Sequence, residues 1–127
     1  MKYLSDYCNE AQTKAFNEAG AFFAFSNEQF ARQKKDGINY VSMYAGLICP
    51  KENVKKLNED LEAIHTKGIE MDLADNGKDA IILRELKNYE CFYTGDIDDC
   101  VIELEDYKIS VKEIKAVFKR EYAAANA

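Results

Sequence analysis

Acid–base chemistry at neutral pH most often falls to histidine, and this chain has one, His65. It stands one residue past the apolar seam of a long helical stretch, beside Ile64, with no partner motif near it. Four cysteines offer thiols: Cys8, Cys49, Cys91 and Cys100. None forms a Cys-x-x-Cys pair, and spacing singles none of them out as a nucleophile. They read as small apolar residues in a reducing compartment. G-x-S-x-G, the Walker loop, G-x-G-x-x-G and H-E-x-x-H are all missing from the sequence. The expectation is a protein with no catalytic set, no metal site and no cofactor. An enzyme using His65 or a cysteine is the residual reading.

The acidic residues are more pointed. Asp96, Asp98, Asp99, Glu103, Glu105 and Asp106 put six carboxylates into eleven residues, with no cation among them. A calcium loop starting at Asp96 would need glycine sixth and glutamate twelfth, where Val101 and Tyr107 stand, so that reading fails. Asp96, Asp98 and Asp99 suit the cap and first turn of a short helix, where the dipole favours negative charge. Glu103, Glu105 and Asp106 fall towards its other end, where the dipole disfavours them. They read as a solvated face or as a face that meets a partner. The last helical stretch has the opposite sign: Lys108, Lys112, Lys115, Lys119 and Arg120 oppose Glu113 and Glu121. The two neighbours either pair within the fold or form a dipolar surface that steers a partner.

A second constellation could hold a small ligand. Eight tyrosines exceed what a core needs, since each phenol must find a polar partner. Tyr40, Tyr44 and Tyr93 could line a pocket, with Lys34, Lys35 or Arg84 for the phosphate of a nucleotide or signalling molecule. A stacking platform for single strands needs aromatics interleaved with cations, but Phe22, Phe23 and Phe25 are flanked by Glu18 and Glu28. A formal charge of −6 also argues against a general nucleic-acid coat. Asp6, Glu10 and Glu18 interrupt any signal-like apolar run, and no apolar run reaches membrane-spanning length. A cytoplasmic protein is expected.

These residues need elements to hold them. A length of 127 residues suits one compact domain over 1–122, with a frayed Ala-rich tail at 123–127. Leu4, Tyr7, Cys8, Ala11 and Ala15 space as a helix that Gly20 stops. Ala21 to Phe25 reads as a strand, Ser26 as an N-cap, and Asn27 onward as a helix carrying Phe30 inward. The stretch GAFFAFSNEQF thus reads as a strand-to-helix corner that seeds the core. A second strand is expected over about 40–48, with its pairing direction left open and Pro50 opening a helix. Val54, Leu57, Leu61, Ile64, Gly68 and Met71 make one seam on that helix, where Gly68 permits close packing or a kink. Further helices carry Ile82, Leu83 and Leu86, then Ile97, Cys100, Val101 and Leu104. Ser110 and Glu113 form a capping box opening the last helix, with Val111, Ile114, Val117 and Phe118 inward. The sum is an α+β protein, mainly helical, with five or six helices and a small two-stranded sheet.

The stretch GAFFAFSNEQF, with Ala45-Gly-Leu-Ile-Cys-Pro50, Arg84-Glu-Leu-Lys-Asn-Tyr-Glu-Cys91 and Tyr93-Thr-Gly-Asp96, resembles a family. It is similar to short, functionally uncharacterised proteins of bacteriophages, plasmids and gut-bacterial mobile elements, from Tyr3 to the last helix. The family often reads Asn-His-Glu-Cys where this chain has Asn88-Tyr89-Glu90-Cys91, which argues against histidine chemistry at position 89. The resemblance carries over no functional residue. It implies an accessory protein that binds host machinery, such as a nucleic-acid-binding defence nuclease whose basic groove would receive Asp96–Asp106.

Overall fold

The structure is a computed structural model and describes residues 1–125. It is α+β and mainly helical, and falls into two compact units, 1–68 and the described residues from 69 on.

The first unit begins with α1, Leu4–Ala19. Asp6 accepts the Tyr3 N–H at 2.8 Å, which satisfies a donor at the helix start. Gly20, at φ 73°, ends the helix with its N–H on the Phe16 and Asn17 carbonyls. Then come β1 (Phe22–Phe23), α2 (Asn27–Gln33), β2 (Tyr40–Ser42) and β3 (Leu47–Pro50). Ser26 caps α2 as expected, its hydroxyl accepting the Gln29 N–H at 3.2 Å.

The sheet is antiparallel in the order β1-β3-β2. It has three strands where the sequence suggested two, because the expected strand over 40–48 folds back on itself. Ala45 (φ 47°) and Gly46 (φ 81°) make the reversal. Alanine at positive φ gives no turn signal, which hides the break. Pro50 closes β3 and is followed by a 3₁₀ turn at Lys51–Asn53, so it does not open the long helix. It sits in the central strand without cost to the ladder. Its partner Tyr40 belongs to the pairs that share no backbone bond, since Met43 N–H to Leu47 O and Lys51 N–H to Asn39 O set the alternation.

One face of the sheet packs on α1 and on α3, which runs Val54–Asn76. Leu47, Cys49, Leu57, Ala15 and Ala21 form this core, with Phe16, Val54, Leu61 and Ile64 against it. Gly68 supplies the close approach: a Cβ there would stand 2.4 Å from Cys8 Sγ and 3.2 Å from Leu4 Cδ1. On the other face Phe22, Phe30 and Tyr40 meet in a triangle with centroids 5.4–6.2 Å apart. Phe30 therefore folds back over the strand as the corner reading required. Phe23 and Phe25 do not seed the core. They stack on each other at 6.4 Å and are 44% and 73% exposed, because β1 lies at the sheet edge.

The second unit takes the last turns of α3, then α4 (Lys78–Asn88), α5 (Cys91–Thr94), α6 (Asp98–Glu103) and α7 (Val111–Ala125). Helix α4 is central and touches α5, α6 and α7. Ile81, Ile82, Leu86, Cys91, Cys100, Leu104 and Ile114 are fully buried. Phe118 stacks between Phe92 and Tyr122 at 5.2 and 5.7 Å. Ser110 caps α7 by accepting the Glu113 N–H at 3.2 Å. Residues 123–125 of the expected frayed tail continue α7, while 126–127 lie outside the described residues. Met71 and Val111, expected inward, are 41% and 42% exposed. Position 72 takes the inward place on α3 instead.

Candidate functional site

The acidic segment is a short helix joined to a 3₁₀ turn at Glu105–Tyr107. Cys100, Leu104 and Tyr107 step by four and three, and all three side chains are buried. That spacing turns the intervening carboxylates outward. Asp96, Asp98, Asp99, Glu105 and Asp106 are exposed, and Glu103 is half-buried. Thr94 Oγ1 accepts the Asp96 N–H at 3.1 Å, and Asp96 Oδ1 accepts the Asp98 N–H at 2.9 Å. Asp96 therefore shapes the turn before the helix, and Ile97 occupies the cap position. Tyr89 donates to Glu103 Oε2 at 3.4 Å. No lysine or arginine occurs between Lys87 and Lys108. Two ion pairs tie α7 to α4: Lys78 to Glu113 at 3.4 Å and Arg120 to Asp79 at 3.5 Å.

The field of this segment reaches its neighbours. Burial first, then Glu103 and Glu85, push the Tyr89 phenol up. Burial, then Asp96 and Asp99, raise the Cys91 thiol. Cys100 is pushed up to about 12, by burial foremost and then by Cys91, Glu85 and Glu103. Both thiols are held neutral, which makes them poor nucleophiles. All four cysteines are buried, and none is joined in a disulfide among the described residues.

A buried polar network anchors the segment from within. Asp72 is 0% exposed and receives both terminal nitrogens of Arg84 at 2.9 Å. Tyr107 donates to Asp72 Oδ2, Asn76 donates to Oδ1 at 2.8 Å, and Arg84 Nε donates to Glu85 at 3.0 Å. Burial alone would raise the Asp72 pKa, but the donors Arg84, Tyr107 and Asn76 outweigh it and hold it below the usual range. Tyr107 is pushed up, by burial first and by the Asp72 carboxylate next. No buried side-chain polar atom lacks a partner among the described residues. Such a network, fully satisfied, fixes side chains in one arrangement.

The residues of the ligand constellation are divided between the two units. Arg84 is not a surface cation, since its guanidinium is buried and bonded to Asp72 and Glu85. Tyr93 belongs to the second unit and is 91% exposed. In the first unit, Tyr40 and Lys35 do meet: the Lys35 N–H donates to the Tyr40 hydroxyl at 3.0 Å. Both line an open groove of about 560 Å³ with Phe22, Ile38 and Pro50. Lys34 caps the end of α2, and Tyr44 stands exposed at the hairpin reversal. His65 is half-buried on α3. Among the described residues, no three His, Cys, Asp or Glu side chains are grouped to hold a metal ion.

A family model of unknown function matches residues 4–125. The chain belongs to the DUF7659 family. No curated protein and no solved structure matches this DUF7659 chain. Among its described residues, no helix is long and apolar enough to cross a membrane.

Sequence reasoning placed the carboxylates but missed Asp72, Glu85, Asn76 and Tyr107. One signal was available. Asp72 falls four residues after Gly68 on the α3 seam, and Arg84 falls among the apolar residues of α4. Opposite charges on two inward positions point to a buried pair.

Proposed function

We propose that this DUF7659 protein is a non-enzymatic binding protein that presents the carboxylates of α6 and the following turn to a basic surface on a protein partner. The observation that carries this reading is the pinned acidic face. Cys100, Leu104 and Tyr107 are buried, while Asp98, Asp99, Glu105 and Asp106 on the same short segment are exposed. A fixed charged surface loses less entropy on docking than a flexible acidic tail. Clustered charge of one sign also speeds encounter with the opposite sign.

The resemblance to short phage, plasmid and mobile-element proteins supports a partner in the bacterial host cytoplasm. A nucleic-acid-binding defence protein fits, because its groove is basic by necessity. The acidic face would occupy that groove as a phosphate backbone does.

Neutralising the face without changing its shape tests the reading. The variant Asp98→Asn, Asp99→Asn, Glu105→Gln, Asp106→Asn should fold normally and lose the host proteins that the wild-type chain captures from lysate. Wild-type capture should weaken steeply as salt rises. A partner held equally by both proteins, with no salt dependence, would sink the proposal.

A further inference from the structure

The two edges of the small sheet are treated differently. Strand β1 turns the backbone of Phe23 outward, and α2 covers it: Gln33 Nε2 donates to Phe23 O at 2.9 Å, and Gln29 Oε1 accepts the Phe25 N–H at 2.7 Å. Strand β2 has no such cover. The bonds Lys51 N–H to Asn39 O and Met43 N–H to Leu47 O fix the odd-numbered residues as those facing β3. The N–H and C=O groups of Tyr40 and Ser42 therefore point to the open side, where no described residue pairs with them. Folded proteins usually guard such an edge, because it is a template for another strand.

The flank of β2 carries charges of both signs. A groove of about 620 Å³ lies beside it, lined by Val41, Val54, Lys51, Lys55, Glu59 and Glu62 among others. Lys51 stands in the 3₁₀ turn and Lys55 in the first turn of α3, with the anions one to two turns beyond Lys55. None of these four charged side chains has a salt bridge among the described residues. Ile38 and Tyr44, each three residues from Val41, are exposed apolar side chains at 38% and 56%.

We propose that the open edge of β2 pairs with the same edge of a second copy, antiparallel, about a two-fold axis at Val41. Tyr40 of one copy then exchanges both backbone bonds with Ser42 of its partner, and the reverse pair repeats them. The same axis brings Ile38 towards the partner's Tyr44. It also reverses the direction of the groove in the partner, so the cationic start of one groove meets the anionic stretch of the other. This charge order, positive then negative along the groove, is self-complementary under a two-fold and under no parallel arrangement. A second copy is thus favoured over an unrelated peptide. The interface is isologous, the commonest kind in soluble oligomers.

Sedimentation of the full chain over a concentration series tests the pairing. The wild-type chain should reach a dimer. Ser42→Pro removes an outward N–H without breaking the ladder to β3, and should sediment as a monomer with an unchanged far-UV circular dichroism spectrum. Two charge variants keep the test decisive if that one misfolds. Lys51→Glu with Lys55→Glu, and Glu59→Lys with Glu62→Lys, should each be monomeric alone and should form a heterodimer when mixed. A wild-type chain that stays monomeric throughout overturns the proposal. So does a dimer that survives in natively folded Ser42→Pro, or a mixture of charge variants that stays monomeric.

Discussion

The two units of this chain are stabilised by opposite means. The first keeps charge out of its interior and places Leu47, Cys49 and Leu57 against small residues of α1, with half its aromatic corner open to solvent. The second buries an aspartate, an arginine and a glutamate, and surrounds them with aliphatic side chains. Apolar packing is tolerant of substitution at its margins, whereas loss of one member of a buried ion pair strands the other. The surface charge follows the same division. The unit with ions inside is the one that carries the acidic face, and Tyr107 belongs to both the buried network and the segment that bears the carboxylates.

The largest expected effect falls on the ionic side. Asp72→Ala takes from the buried Arg84 guanidinium the carboxylate that meets both its terminal nitrogens and should cost about 3–5 kcal/mol in urea unfolding. Replacing the network as a whole, Asp72→Leu with Arg84→Met, Glu85→Leu and Tyr107→Phe, strands no charged partner and should recover most of that loss. If the single variant lost under about 1 kcal/mol, the contrast between the units would collapse. Acid should reveal the same network. The Asp72 carboxyl titrates lower in the folded chain than in the unfolded one. Its contribution is complete above the unfolded value of about 3.9 and is lost as pH falls through the lower folded value. Asp72→Asn should remove that acid-sensitive component from a stability–pH profile.

A smaller effect is expected at Gly68 in the first unit. Alanine gains about 1 kcal/mol of helix propensity but drives its methyl into Cys8 Sγ, at a cost of about 1–3 kcal/mol. The net should be a modest destabilisation, measured by thermal unfolding, which adding Cys8→Ala reduces. A stabilised Gly68→Ala would mean that α1 yields easily.

The smallest effect belongs to the exposed aromatic. Phe25→Ala should change stability by less than about 1 kcal/mol, since the ring is 73% exposed. A loss near that of a buried phenylalanine, about 3–5 kcal/mol, would restore the corner to the core.

Local signals carried much of the fold. Gly20, Ser26 and Ser110 mark helix ends by mechanisms that need no distant residue, and the apolar steps of α3 and α7 give their inward faces. The acidic segment was legible in part for the same reason, since Cys100 and Leu104 keep helical spacing, while Tyr107 one turn further on was not picked out. What was hidden depends on partners far along the chain. Asp72 is buried because Arg84 and Tyr107 reach it from 12 and 35 residues away. Periodicity instead favoured the apolar Met71 for that place. Phe23 and Phe25 looked like core because hydrophobicity says nothing about which strand ends up at an edge.

Gln29 and Gln33 have a consequence for the size of any assembly. A sheet with two open edges can take on copies without end, each newcomer offering a fresh edge, and the product is a filament. With β1 covered by two amide side chains, each copy has one open edge to offer. Growth by strand pairing then stops at two. Two glutamines on a seven-residue helix would thereby separate a closed particle from a fibre.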